Sequence, residues 1–258
     1  MPTPFEFQKK LHFAEYAKSF GDVLKNIDLL QLENLPPDAM EYLLKASAVY
    51  SSNIEGNSID LNSFMNYGLQ HEQKQNREIQ EIQDLKLAYE FAKMRSLCEE
   101  NILQAHATLS QTFLPKEKAG VFRNESIGVF GTQGLVYLAV EPKFVHAEMD
   151  TFLSMLMTLL KEELSTPEVF YYASLLHLIF AHIHPFADGN GRMARLIEKW
   201  FLSEKLGKGV WGIASEKFYK EHQGAYYKNL NLGVNYYELD YSKAMPFLGM
   251  LVGSVRNV

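Results

Sequence analysis

Residues 184–195 read His-Pro-Phe-Ala-Asp-Gly-Asn-Gly-Arg-Met-Ala-Arg, and this one stretch holds the parts needed to handle a nucleoside triphosphate. His184 precedes Pro185, which keeps it out of a helix interior and in extended or turn geometry. A neutral imidazole there can take a proton from a hydroxyl near neutral pH. Asp188 is a hard oxygen ligand, and one carboxylate together with substrate phosphates is a usual way of holding Mg²⁺. Gly189, Asn190 and Gly191 tolerate left-handed backbone angles, so successive amides can point one way and form an anion nest. The chain turns helical at about Gly191, and a helix N-terminus also favours phosphate. Arg192 and Arg195 share a face of that helix. Two arginines at this end oppose the helix dipole, an arrangement that makes sense if an anion lies between them. Taken singly, each part has a plain structural reading: a turn, a solvated arginine pair, a capping histidine. Their order and spacing together are what point to chemistry.

The segment resembles the Fic family signature His-Pro-Phe-x-(Asp/Glu)-Gly-Asn-Gly-Arg-x-x-Arg, with no departure. Flanking positions are similar too. Ala173, His177, Phe180 and Ile183 precede the loop as in the family; Gly120-Val-Phe-Arg123 leads into a short hairpin; Glu141-Pro142 opens a helix; and Tyr226-Tyr227-Lys-Asn-Leu230 follows. The resemblance spans roughly residues 100–235. It implies a mainly α fold, a Fic-type helical bundle with a small β-hairpin flap and an N-terminal helical extension. It also implies transfer of AMP from ATP, with Mg²⁺ on Asp188, to a Ser, Thr or Tyr hydroxyl of a target protein. His184 would then be the base. Gly189, Asn190, Gly191, Arg192 and Arg195 would hold phosphate, and Tyr227 would stand near the nucleotide base. Tyr226 and Asn235 are weaker candidates for the same pocket, since a tyrosine pair on a helix is more often core.

A second motif lies far upstream. Residues 51–57 read Ser-Ser-Asn-Ile-Glu-Gly-Asn, similar to the family's inhibitory pattern (Ser/Thr)-x-x-x-Glu-(Gly/Asn) at Ser51, Glu55 and Gly56. Pro36, Pro37 and Asp38 make a helix start, and Gly56 can end that helix in a left-handed cap. Ser47, Ser51 and Glu55 recur every four residues and form a polar stripe, with Leu43, Tyr50 and Ile54 available for the buried one. Spacing alone leaves Glu55 a helix-end carboxylate facing solvent. The resemblance implies instead that it pairs with Arg195, occupies the arginine needed for the γ-phosphate, and so restrains the enzyme.

The 258 residues are 47% hydrophobic and 22% charged, enough for one sizeable core. A formal net charge of −6 gives no basic footprint for nucleic acid. The single cysteine, Cys98, excludes an internal disulfide and suits a reducing compartment. The N-terminal Met-Pro-Thr-Pro-Phe-Glu-Phe-Gln-Lys-Lys lacks signal-peptide architecture, and the apolar run from Val169 to Phe180 is too short to span a bilayer. A cytoplasmic protein that binds no membrane is expected.

Helices are expected at about 7–20, 22–33, 38–55, 76–97, 101–113, 146–163, 168–183, 190–206, 216–230 and 242–253. Leu85, Ala88, Phe91, Ala92 and Arg95 carry the helical period in the fourth. Two strands, Ser126-Ile127-Gly128-Val129-Phe130 and Leu135-Val136-Tyr137-Leu138, are joined by Gly-Thr-Gln-Gly, a hairpin signal. An open hairpin edge can add an extended peptide as a further strand, and the resemblance makes Ile127, Gly128, Val129 and Phe130 the target-docking flap. The polar run 70–77 reads as an exposed linker. It separates an N-terminal helical region with the inhibitory helix (1–75) from a core with the flap and C-terminal helices (76–258). His177, His182 and His184 do not share a helix face, so their spacing argues against a zinc site.

Three readings follow. The first is an autoinhibited protein adenylyltransferase, with self-modification and a homodimer both compatible with the sequence. The second is a hydrolase that removes AMP, with Glu55 orienting water. The third is a module that binds nucleotide or a partner without turnover.

Overall fold

The computed structural model describes residues 12–25, 27, 34–67, 76–131 and 134–255. The described chain is mainly helical, with one two-stranded sheet. Two long helices form its centre, α7 (Thr166–Ile183) and α8 (Asn190–Leu206). They pack against each other, and both are buried almost all round, α7 from Val169 to Ile183 and α8 from Arg192 to Leu202. Burial on every side explains why α7 is apolar nearly all round from Val169 on, interrupted by Ser174, His177 and His182, rather than apolar along one stripe. Around this pair stand α1 (Phe13–Lys25), α2 (Pro37–Ile54), α3 (Leu61–Tyr67), α4 (Arg77–Met94), α5 (Glu99–Leu109) and α6 (Pro142–Lys161). Short helices close the C-terminal side: α9 (Ser215–Glu221), α10 (Gln223–Leu230), α11 (Met245–Leu248) and α12 (Met250–Gly253). No helix among the described residues is long and apolar enough to cross a membrane.

Several expected boundaries move for identifiable reasons. The break expected at Gly21 is absent: α1 runs through it, because Tyr16 and Leu24 bury one continuous face and Phe13 and Tyr16 set their rings edge-on to Tyr171 of α7. The rest of the expected 7–20 and 22–33 helices lies largely outside the described residues, as do 70–75 of the expected linker and with them the expected domain boundary. Arg77, where the expected linker and the expected 76–97 helix overlap, opens α4, with Asn76 accepting the Ile79 amide as an N-cap. Helix α3 was not expected; Asp60 caps it by accepting the Ser63 amide and hydroxyl. The expected 216–230 helix divides at His222, which leaves helical angles. The expected 242–253 helix becomes a 3-10 turn (Tyr241–Lys243), α11 and α12.

The hairpin forms from β1 (Gly128–Gly131) and β2 (Gly134–Leu138), antiparallel, with Gly128 opposite Leu138, Val129 opposite Tyr137 and an irregularity between Val129 and Phe130. At its base Leu138 donates its amide to Val234 and forms a parallel bridge with Asn235. The outer edge of β1 has no ladder partner among the described residues.

The faces of α2 differ from expectation. Ile54 is buried as expected, but Leu43 and Tyr50 are only half-buried, and Leu44 and Ala48 join Ile54 in the core in their place. The polar stripe is buried as well: Ser47 and Ser51 are 4% and 0% exposed. A buried hydroxyl requires a partner, and α8 supplies it. Lys199 Nζ donates to Ser47 Oγ at 2.8 Å, and Arg195 Nε to Ser51 Oγ at 2.9 Å. Ser47/Ser51 and Arg195/Lys199 are both four-residue repeats, so two stripes of equal spacing lock α2 in register on α8. Behind them Glu216 accepts from Lys199 (2.6 Å), Ser47 (3.0 Å) and Tyr89 (2.7 Å).

Candidate active site

The loop between α7 and α8 begins where His184 ends α7 with φ 54° and ψ 58°, the only non-glycine residue with positive φ among those described. It is thus a left-handed cap rather than the extended or turn residue that its place before Pro185 suggested. Its Nδ1 lies 3.2 Å from the Ala181 carbonyl. A carbonyl can only accept, so this contact puts the ring proton on Nδ1 and leaves the Nε2 lone pair outward. Burial lowers the His184 pKa, against the Ala181 bond that raises it, so the basic form persists at neutral pH.

Two residues that the sequence did not single out hold this loop. Arg123, buried on the stretch before the flap, donates Nε to the His184 carbonyl at 2.7 Å and Nη2 to Ile183 at 3.3 Å. The same guanidinium donates to Val140 (2.7 Å) and Glu125 (2.8 Å), so one side chain joins the end of α7 to the root of the flap. His106 of α5 stacks on Phe186 at 3.6 Å between centroids. Its Nδ1 accepts from Gly120 and its Nε2 donates to the Asp188 carbonyl, each at 2.9 Å; burial holds its pKa down to about 4. Nothing local in the sequence marks His106. Arg123 was visible only as part of a flanking resemblance.

Within the loop, Asn190 closes a ring on Phe186, accepting its amide at 2.8 Å and donating to its carbonyl at 2.9 Å. The Asn190 side chain is therefore committed to the loop, and only its amide remains for a ligand. Gly189 has φ 82° and opens α8. The first amides of a helix have no intrahelical acceptor, which leaves those of Asn190, Gly191 and Arg192 facing out of the N-terminus. Asp188 is exposed. One carboxylate oxygen accepts the Gly189 amide at 2.6 Å, and the other is free. No group of three or more metal-ligating residues occurs among those described, so an ion here would share Asp188 with phosphate oxygens. That donor set fits Mg²⁺ better than a metal needing a full protein cage.

The two arginines differ sharply. Arg192 is 8% exposed and lies over the Phe113 ring at 4.1 Å, yet its Nε and Nη1 have no hydrogen-bond partner. A buried guanidinium with idle donors is set for an anion. Arg195 is fully buried and heavily engaged: Nε on Ser51 Oγ, Nη2 on the Ser51 carbonyl at 3.0 Å, Nη1 on the Tyr226 hydroxyl at 3.1 Å, and Nη2 on Glu55 Oε1 at 2.7 Å. Glu55 therefore faces Arg195, not open solvent; its side chain keeps 29% exposure. Burial opposes its ionisation, but the Arg195 guanidinium outweighs this and holds its pKa below the usual carboxylate range.

Gly56, at φ 97°, ends α2 as expected. The Gly56 amide donates to Asn53 and the Asn57 amide to Ser52, the paired bonds of a Schellman cap. Side chains from the next layer also bind carbonyls at this end: Lys220 donates to Asn53, which thus accepts twice, and Gln223 and Tyr227 both donate to Ile54, at 2.8–2.9 Å. Tyr227, expected near a nucleotide base, is half-exposed and tethers the end of α2. Asn235 sits at the flap base, its Oδ1 accepting from Tyr237 and Glu238. The flap tip is apolar and open, with Phe130 73% and Leu135 54% exposed; Ile127 and Gly128 are half-buried. His177 and His182 are both buried and hydrogen-bonded at both ring nitrogens.

A helical bundle, a hairpin and a loop presenting a histidine, a carboxylate and two arginines at a helix N-terminus define a class, and comparison with known proteins points to the same one. Residues 96–202, which hold α7, the loop and most of α8, match the model of the Fic/DOC family. It is 29% identical over 206 residues to the protein adenylyltransferase Fic of Drosophila erecta, covering 70% of this chain. The chain spans only 40% of that relative's length. Among solved structures, a Fic family protein from Desulfovibrio desulfuricans G20 superimposes with a TM-score of 0.74 at 24% identity, over 100% of this chain and 73% of that one. A Fic domain-containing signaling protein from Bacteroides thetaiotaomicron gives 0.68 at 21% identity, covering 93% and 94%. Fic-1 from C. elegans gives 0.66 at 19%, covering 95% and 69%. These three likenesses establish the fold.

Proposed function

We propose that this protein is an autoinhibited adenylyltransferase that moves AMP from ATP to a hydroxyl of a target protein. One observation carries the reading: the Glu55 carboxylate lies on Arg195 and over Gly191, while Arg192 and His184 Nε2 stand unengaged. An anion of the protein's own sits at an otherwise complete phosphate cradle.

In this reading the phosphates of ATP lie on the amides of 189–191 and on Arg192, with Arg195 taking the γ-phosphate once Glu55 withdraws. Asp188 holds Mg²⁺, which neutralises phosphate charge. An extended target segment pairs with the open edge of β1, near Ile127, Gly128, Val129 and Phe130, and offers a Ser, Thr or Tyr hydroxyl. His184 Nε2 takes its proton as the hydroxyl oxygen attacks the α-phosphorus. The α–β bridging bond breaks, pyrophosphate leaves, and AMP remains as an ester on the target. Rate acceleration comes from positioning and charge neutralisation.

One observation favours a second reading in which the chain removes AMP. Glu55 binds Arg195 through Oε1 alone, which leaves its second carboxylate oxygen available to orient water.

The test is incubation with ATP and Mg²⁺, comparing native protein, Glu55→Gly and Glu55→Gly/His184→Ala by intact mass. An AMP adduct in Glu55→Gly that the double variant loses supports transfer, inhibition and base together. AMP release from a modified protein by the native chain, lost in Glu55→Gly, supports the second reading. ATP binding with neither reaction on any protein of the parent cell leaves a non-catalytic binding module.

A further inference from the structure

Arg195 is held from two sides. One side is α2, through Ser51 and Glu55. The other is a closed ring of buried polar groups. Arg195 Nη1 donates to Tyr226 Oη at 3.1 Å; Tyr226 meets His177 Nε2 at 2.9 Å; His177 Nδ1 meets Glu198 Oε2 at 2.8 Å. Glu198 lies one turn beyond Arg195 on α8, so the ring returns to the helix it left. Tyr219 donates to the same carboxylate at 2.9 Å. Arg195, His177 and Glu198 are 0% exposed, and Tyr226 and Tyr219 are 1%.

With a neutral His177 the chemistry of the groups sets the direction of each bond. The Glu198 carboxylate can only accept, so His177 carries a proton on Nδ1. Nε2 then accepts, and the Tyr226 hydroxyl donates to it. Burial pushes the Tyr226 phenol pKa up, which keeps that proton in place. The Tyr226 oxygen is left to face Arg195 with its lone pairs only. Without His177 the hydroxyl would be a free rotor, able to turn its proton toward the guanidinium. A β-carbon at Gly191 would lie 3.3 Å from Arg195 Nη1, so the same nitrogen borders the cradle.

We infer that Tyr226, oriented by His177 and Glu198, is a positioning residue that keeps Arg195 aimed at the terminal phosphate of ATP after Glu55 has withdrawn. This rests on the proposed function, in which Arg195 receives that phosphate. Glu55 cannot serve this purpose, since it leaves. The ring lies wholly on α7, α8, α9 and α10, and none of its hydrogen bonds is made by Glu55.

The test uses the full chain with Glu55→Gly as parent, and calorimetric titration of ATP and, separately, ADP in Mg²⁺. Adding Tyr226→Phe is expected to weaken ATP binding about tenfold and to leave ADP within about twofold, because only ATP has the phosphate that Arg195 meets. His177→Leu is expected to reproduce this selective loss, and His177→Gln, which keeps an acceptor near the Nε2 position, to restore the ATP preference. Normal ADP binding shows each variant to be folded. Equal losses for both nucleotides, or no loss for either, would overturn the positioning role while the parent's ATP binding left the proposed function standing. A parent that binds neither nucleotide overturns both.

Discussion

A β-carbon on Gly191 would stand 2.2 Å from Glu55 Oε1 and 3.0 Å from its Cδ: the carboxylate rests on bare backbone at the first turn of α8. A negative group there gains from the helix dipole as well as from Arg195. The place suits a phosphate oxygen for the same reasons.

Gly191→Ala therefore separates two effects that Glu55→Gly combines. The new methyl must displace the Glu55 arm, and it also fills the seat. ATP affinity, read by titration calorimetry, is expected to stay as low as in native protein or lower, whereas Glu55→Gly raises it by tenfold or more. If Gly191→Ala gains ATP affinity to the same degree, the seat is not where phosphate binds.

The Glu55 pair has a pH signature. Its folded pKa lies below the ordinary value, so its stabilisation is fully present above the unfolded pKa and lost as pH falls through the folded one. The Tm difference between native protein and Glu55→Gln is expected to be constant near neutral pH and to close at acid pH, below about 4.3. No difference near neutral pH would mean that Arg195 does not stabilise the charged form.

His184 titrates the other way in its consequences. Burial lowers its pKa, and the Glu55 carboxylate, which raises it, is missing from Glu55→Gly. Transfer by that variant is expected to hold level as pH drops to about 6.5 and to fall only below it. A rate profile with its acid limb above that value would remove His184 from the role of base.

Arg123→Lys addresses the strut between loop and flap. A single ammonium cannot reach carbonyls spread over Glu125, Val140, Ile183 and His184. The expected cost is about 3 kcal/mol, a Tm fall of roughly 6–12 °C. In Glu55→Gly the same change should lower kcat more than it raises KM for ATP, because it loosens the base and not the phosphate cradle. An unchanged kcat would show that His184 needs no support from the flap root.

Lys199 and Glu216 are both 0% exposed and 2.6 Å apart. Lys199→Met is expected to cost about 3–5 kcal/mol, since it strands a buried carboxylate. Adding Glu216→Gln should recover a large part of that in urea unfolding, a coupling that additive losses would contradict.

The 184–195 loop was legible because its turn is local: Gly189 with its positive φ, and Asn190 closing on Phe186, both lie within the motif. The helical pattern of α4 was legible too, with Leu85, Ala88 and Ala92 buried. The seat of Glu55 was not legible from spacing, because a polar stripe reads the same whether it meets water or a matching stripe. The match was nonetheless present, in the equal intervals of Ser47/Ser51 and Arg195/Lys199. His106 left no trace, since one histidine on an amphipathic helix looks like any other. The breaks near Gly21, His222 and Gly249 were misjudged because packing decides them. Gly21 has nothing within 4 Å of its absent side chain, while at Gly249 a β-carbon would meet the Phe20 ring at 2.7 Å.

The end of α2 has one more consequence, and it concerns time. Asn53 and Ile54 have their carbonyls taken by Lys220, Gln223 and Tyr227, and Ser51 is fastened to Arg195 through both hydroxyl and carbonyl. The backbone is thus fixed up to the α-carbon of Glu55, and only a short arm of three torsions is left to swing. In the proposed function, leaving the cradle is then a side-chain rotation that breaks one ion pair, and not the unwinding of a helix. Restraint of that kind sets how often the cradle is empty rather than how fast it can empty, so a single new contact to the swung-out carboxylate would be enough to reset the balance.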